Sequence, residues 1–250
     1  MSQLKAYHRP TNVDEALQLL SRPGINTAVV GGGTHITTHT PEVIDEVVDL
    51  QFTDLTEVTY TGQYLVLGAM VRLQTIVDDG RAPSLLREAA RREGPNTLRH
   101  AATVGGVVTC PNKESELLAA LLVFDAEIKI QSVNDTKTFS LAHFLLDIPS
   151  ALNGRLVTSV SLNIIGKTAS ARVVRTPADR PIVAALARLG DDGKIRLALC
   201  GVDNMPVLVD PDNVKAAINP PHDFRGSKEY RRQMAATLTQ RVMNELAPNP

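Results

Sequence analysis

The chain has 250 residues, 43 % hydrophobic and 21 % charged, with 26 basic side chains against 27 acidic ones. A chain this long buries most of its unfolded surface without disulfides or a structural metal, and its balanced charge gives no overall field to hold nucleic acid or an anionic membrane. No apolar run reaches the ~20 residues of a membrane helix and the first ten residues lack a signal-peptide core, so the expectation is a soluble, cytoplasmic protein with no membrane partner.

In chain order, Asn12 with Glu15 reads as a capping box opening a helix that carries Val13, Ala16, Leu17 and Leu20 at helical spacing. Pro23-Gly24 ends it, and Thr27-Ala28-Val29-Val30 reads as a short strand running into Gly31-Gly32-Gly33-Thr34-His35. Glu46 to Leu50 predicts another strand. Val58–Tyr60 and Tyr64–Leu67 flank Thr61-Gly62-Gln63, a hairpin signal, and Arg72–Asp78 and Leu85–Arg92 predict helices. Ala101 to Val107 reads as a second strand and glycine turn. A helix is expected over about Ser115–Phe124, and strands over Ala126–Gln131 and Leu156–Ile165. Ile182–Leu189 and Lys194–Leu199 flank the turn Asp191-Asp192-Gly193. A terminal helix beginning near Ser227 places Tyr230, Met234, Leu238 and Val242 on one stripe, read as buried. The cluster Arg225, Lys228, Arg231 and Arg232 reads as a solvated helix face, with a subunit contact as the alternative.

Cys110 and Cys200, the only two cysteines, form no CxxC pair and fall short of the ligands an iron–sulfur cluster needs. With aromatics at 4 % and no Trp, stacking platforms for nucleic acid are not expected. Gly31-Gly32-Gly33 at a strand end permits close backbone approach and an anion-binding concavity, with an ordinary tight turn as the alternative. It is not a dinucleotide fingerprint, since Ile36 stands where that pattern requires glycine. Gly105-Gly106 is a second turn of the same kind, and the pair suggests two loops converging on one extended phosphate ligand. Gly166-Lys167-Thr168 resembles the end of a P-loop, but Ser161 occupies its first glycine position. His35 and His39 have helical spacing without a third ligand, so no metal site is assigned. Glu114 and Glu116 point in different directions on a helix, and no catalytic residue is assigned.

At these residues the chain resembles the FAD-binding medium subunit of the molybdenum hydroxylases, the family of the carbon monoxide dehydrogenase flavoprotein and the xanthine dehydrogenase flavin domain. The family's Ala-Gly-Gly-Thr/His-Asp/Ser loop is matched by Gly31-Gly32-Gly33-Thr34-His35, and its Ala-Thr-Ile-Gly-Gly-Asn by Ala102-Thr103-Val104-Gly105-Gly106-Val107. Its Pro, Ser-Asp-Leu and Leu-Asp-Ala are similar to Pro111, Ser115-Glu116-Leu117 and Phe124-Asp125-Ala126. The likeness continues through Arg175–Pro181 and Asp223–Arg232.

The resemblance implies an α+β fold: a two-lobed PCMH-type FAD-binding domain over 1–166, with lobes of about 1–55 and 56–166, then a C-terminal domain over 167–250 with a three-stranded antiparallel sheet and helices. It implies an electron-transfer subunit that takes electrons from an iron–sulfur partner through FAD to an acceptor. The implied FAD contacts are Val29, Val30, Gly31, Gly32, Gly33, Thr34, His35, Ile36, Thr103, Gly105, Gly106, Val107 and Glu116, with Leu156 and Val157 against the ring. Molybdopterin and 2Fe–2S clusters are expected only on partners, a molybdenum-binding large subunit and an iron–sulfur small subunit, in a heterotrimer or a homodimer of heterotrimers. The chain departs from the pattern at Val107, where the family has Asn, and at Glu116, where it has Asp; a tyrosine over the ring has no counterpart either. A flavin-free or weakly binding scaffold of the same fold is therefore the alternative.

Overall fold

The computed structural model describes residues 4–35 and 44–247, so the readings made at Ile36 and His39 lie outside the described residues. The chain divides into two compact units, each built from three stretches: 1–75, 96–110 and 127–161 in one, and 76–95, 111–126 and 162–250 in the other.

The first unit begins with β1 (Ala6–His8), α1 (Val13–Leu20), β2 (Thr27–Val30) and β3 (Glu46–Asp49). The three strands form a parallel sheet in the order β1-β3-β2. Asn12 caps α1 by accepting from Glu15 N, while the Glu15 carboxylate accepts from Thr11 N, one residue earlier than a strict capping box. Sequence reading missed β1 because three residues carry no period. It is secured across the sheet by Tyr7 Oη donating to Asp49 Oδ2 at 2.7 Å.

Next come β4 (Val58–Thr61) and β5 (Tyr64–Gly68), the expected hairpin, with Gly62 supplying a φ of 58° at the turn. The helices α2 (Leu73–Asp78), α3 (Ser84–Arg92), α4 (Asn96–Ala101), α5 (Val104–Thr109) and α6 (Glu116–Val123) follow. Beyond them lie β6 (Glu127–Gln131), β7 (Thr136–Ser140), two short helices α7 (Leu141–Phe144) and α8 (Ile148–Leu152), and β8 (Leu156–Asn163). The second sheet runs β4-β5-β8-β6-β7.

The last third contains β9 (Lys167–Val173), β10 (Val183–Leu189), β11 (Ile195–Cys200), β12 (Val207–Val209), α9 (Val214–Ala217) and α10 (Lys228–Leu246). They form an antiparallel sheet of four strands, β12-β11-β10-β9, where three were expected. The short β12 closes the outer edge of β11. β10 is buried along almost its whole length because both faces are covered: Val183, Ala185 and Ala187 join the core shared with α10, and α6 also packs on β10 and β11. All eight residues of α6 are buried.

The stripe expected on α10 holds at Leu238 and Val242, with Met234 packed against the same core, and fails at Tyr230, which is exposed; Arg231, Ala235, Thr239 and Leu246 also face inward. Arg231 is fully buried: Nη1 donates to Ile182 O and Gly201 O, and Nη2 bonds both oxygens of Asp223. The basic cluster is thus a solvated face only in part: Lys228 is exposed, but Arg231 is buried and Arg225 pairs with Glu114 at 2.6 Å with its side chain mostly buried.

Arg188 is the other fully buried arginine. Nε donates to Ile165 O at 2.8 Å, and Nη1 to Val123 O at 2.8 Å and Asp125 Oδ2 at 2.9 Å. Asp125 follows α6 in the left-handed region, φ 52°, which Asp tolerates better than most side chains. Arg188→Met would leave the buried Val123 carbonyl, the Ile165 carbonyl and a carboxylate without this donor. The expected loss is about 2–4 kcal/mol of unfolding free energy, read from urea denaturation; a loss inside the error of the measurement would show that the network is not structural.

Candidate functional site

Three segments of the first unit meet around residues 69–73, the link from β5 into α2. Gly105 N donates to Ala69 O at 2.8 Å, Val104 N to Val71 O at 3.0 Å, and Leu73 N to Ala102 O at 3.1 Å. On the other side, Ala69 N donates to Thr158 O on β8 at 2.9 Å. The glycine run after β2 closes on the same place. A Cβ on Gly31 would stand 3.0 Å from Thr103 Oγ1 and 3.3 Å from Met70 Sδ, and one on Gly32 would collide with the carbonyl of Ala101. That carbonyl also accepts from Arg72 Nη1. Gly33 has φ 70°, a conformation glycine adopts without strain.

Between these segments lies a cavity of about 120 Å³. Of the residues proposed from sequence it brings together Val29, Gly31, Thr103, Gly105, Gly106, Leu156 and Val157. Val30, Gly32, Gly33, Thr34 and His35 belong to the same segment but are not part of its wall, and neither is the half-buried Val107. Leu50, Ala69, Met70, Thr109, Leu152 and Arg155 complete the lining and were not foreseen. No motif or spacing rule marks them; Leu152 and Arg155 merely precede Leu156 in the chain.

The second glycine segment differs from expectation. Residues 101–107 are not a strand and turn: Thr103 caps α5, and both glycines lie in the first turn of that helix. Thr103 Oγ1 accepts from Gly106 N at 3.1 Å and Thr103 O from Val107 N at 3.1 Å. With Val104 N and Gly105 N bound to Val71 O and Ala69 O, these four amides are committed inside the fold. Glycine is required here chiefly for packing, as a Cβ on Gly105 would lie 2.9 Å from Ala69 O.

Glu116 lies in the second unit, at the start of α6. Its side chain is 2 % exposed, with Oε2 2.9 Å from Arg92 Nη1 and Oε1 3.0 Å from Arg172 Nη1. Burial pushes its carboxyl above the usual value, and Arg172 and Arg92 pull it back only in part. Beside it the buried Glu93 accepts from Ser115 Oγ at 2.7 Å and Leu117 N at 3.1 Å, and pairs with Arg180 at 3.3 Å. Both carboxylates therefore hold the beginning of α6. Cys200 is buried, which raises its thiol pKa, and Cys110 is half-buried and raised by the same cause. Among the described residues no cluster of His, Cys, Asp and Glu has the makings of a metal site, and no helix is long and apolar enough to cross a membrane.

Residues 2–162 match the family described as FAD binding domain in molybdopterin dehydrogenase. The chain belongs to this family. It is the family of the FAD-binding medium subunits of molybdenum hydroxylases, and membership makes the chain an oxidoreductase subunit. The uncharacterized protein YgfM of Escherichia coli K12 is 29 % identical over 250 residues, covering 94 % of this chain and 93 % of that one. The glyceraldehyde dehydrogenase medium chain of Sulfolobus acidocaldarius is 25 % identical over 275 residues, covering 97 % and 98 %. In fold, the chain superposes on a carbon monoxide dehydrogenase chain from Hydrogenophaga pseudoflava with a TM-score of 0.86, covering 98 % of both at 19 % identity.

The contacts at Gly32 and Gly106 predict opposite tolerances. Gly32→Ala has to displace the Ala101 carbonyl and should destabilise by about 1–3 kcal/mol, whereas Gly106→Ala meets only Thr103 Oγ1 at 3.2 Å and should stay close to wild type. Thermal melting of the two variants compares them. Equal melting temperatures would remove the packing reason for Gly32.

Proposed function

We propose that the chain binds FAD at the cavity and, as the medium subunit of a molybdenum hydroxylase-type dehydrogenase, carries electrons from an iron–sulfur partner to an acceptor. The observation that carries this reading is a cavity whose lining combines Gly31, Gly105 and Gly106 with the apolar pair Leu156 and Val157. Side chains are absent where a flat or extended cofactor needs close backbone approach, and apolar where its ring needs water excluded. The fit is to part of a dinucleotide, given a cavity of about 120 Å³. Bound FAD supplies the redox step, and the protein supplies placement and electrostatics. In this reading Val29–Ile36, Thr103, Gly105–Val107, Leu156 and Val157 hold the cofactor, and Glu116, with an arginine at each oxygen, fixes α6.

The domain division proposed with it is a FAD-binding part over 1–166 and a C-terminal part over 167–250. The partners are a molybdenum-binding large subunit and an iron–sulfur small subunit, which carry the molybdopterin and 2Fe–2S groups, in the cytoplasm. Names such as glyceraldehyde dehydrogenase medium chain and carbon monoxide dehydrogenase medium chain among the relatives support a place in a multi-subunit complex. The competing reading, a scaffold without flavin, draws on the four committed amides of residues 104–107 and on the missing side-chain amide at Val107.

An absorption spectrum of the purified chain, taken after loading with FAD and removal of the unbound fraction, separates the two. The expected result is retained flavin bands near roughly 370 and 450 nm. A colourless chain, with or without its partner subunits, would favour the scaffold.

A further inference from the structure

Among the described residues lining the cavity, Arg155 alone carries a charge. It precedes β8 and sits beside Leu156 and Val157, with its backbone N bonded to Leu152 O at 3.0 Å. Nη2 lies 3.7 Å from Asp135 Oδ2, an ion pair too long for a hydrogen bond. Asp135 is itself held in the turn between β6 and β7 by Ser132 and lies 3.4 Å from Lys137, so its charge is shared. Arg155 Nε is buried and has no hydrogen-bond partner. A buried guanidinium N–H without an acceptor is destabilising, and a ligand oxygen would satisfy it.

The committed amides of residues 104–107 sharpen the point. These four amides are not free to meet the negative charge of a nucleotide, and the one charged side chain in the lining is that of Arg155. We propose that Arg155 is a specificity-determining contact of the cavity, taking a phosphate oxygen of the flavin nucleotide with Asp135 as its positioning residue. This rests on the cavity being the flavin site. The isoalloxazine ring of oxidised flavin is neutral, so its phosphates are the anions available to a guanidinium.

Sequence reading had no access to this contact, because neither glycine loop nor any motif includes Arg155. The family resemblance reaches Leu156 and Val157 but not the arginine before them.

The test is equilibrium binding of FAD to the full chain at low and high salt, for wild type, Arg155→Met and Arg155→Lys. A charge-assisted bond to phosphate predicts a loss of about 10- to 100-fold in Arg155→Met, together with a flatter dependence on salt. Arg155→Lys keeps the charge and should retain the salt dependence. Thermal melting of the ligand-free variants close to wild type confirms that the loss is not unfolding. Arg155→Met binding within about threefold of wild type would overturn the inference while leaving the flavin reading intact. A weakened Arg155→Met with the salt dependence of wild type would overturn it too, since the side chain would then act by packing. Wild type that binds no FAD at either salt would refute the flavin reading and the inference together.

Discussion

Backbone packed against backbone, with no room for a Cβ, is the constraint on which the first unit depends. Residues 69–73 lie in the middle, bonded to residues 102–105 on one side and, through Ala69, to Thr158 of β8 on the other. Gly31 and Gly32 then close over Thr103 and Ala101. The parallel sheet holding β2 and the five-stranded sheet holding β5 and β8 are joined here by main-chain atoms and small residues. Any substituent on Gly32 or Gly105 has to push a carbonyl aside, so the geometry of the cavity is set by close packing before any ligand arrives.

Much of this was legible because the signals were local. Asn12, Ser115 and Ser227 each stand at a helix start and accept the bond a cap should accept. Hairpin turns with glycine at positive φ, at Gly62 and Gly193, were equally plain. What could not be read depends on distant partners. Residues 104–109, Val-Gly-Gly-Val-Val-Thr, have the composition of a strand with a turn, and become helical because Thr103 caps them and their first amides find carbonyls at Ala69 and Val71. β9, Lys-Thr-Ala-Ser-Ala-Arg-Val, is too polar to announce itself, and pairing along the full length of β10 makes it a strand. On α10 the apolar stripe held from Met234 onward but misled at the first turn, where the deeply buried side chain is Arg231 and Tyr230 is exposed. The cavity was legible where glycines and Leu156-Val157 line it, and illegible at Met70, Thr109 and Arg155, which no spacing rule links.

The second unit is organised around buried charge. Glu116 between Arg92 and Arg172, Glu93 with Arg180, Arg231 on Asp223 and Arg188 on Asp125 all belong to this unit's antiparallel sheet, its helices and the loops between them. Such pairs add little net stability over apolar packing, but each holds a partner's position tightly, because removing one member strands the other in a poor solvent. The two family-like triplets, Ser115-Glu116-Leu117 and Phe124-Asp125-Ala126, bracket α6 at its two ends. Their charged residues anchor that helix at both termini.

α6 is sealed on every side, by α3 made before it and by β10 and β11, made about sixty residues later. While the chain emerges from the ribosome, the run Leu117–Val123 therefore has only α3 to rest against, and its sheet-facing side stays uncovered. A nascent chain in that state is sticky, and synthesis of the last third is a race between sheet completion and association with other unfinished chains. The same connectivity means that cutting the polypeptide after residue 166 would free a fragment carrying an orphaned leucine helix, which would need a substitute cover to remain in solution.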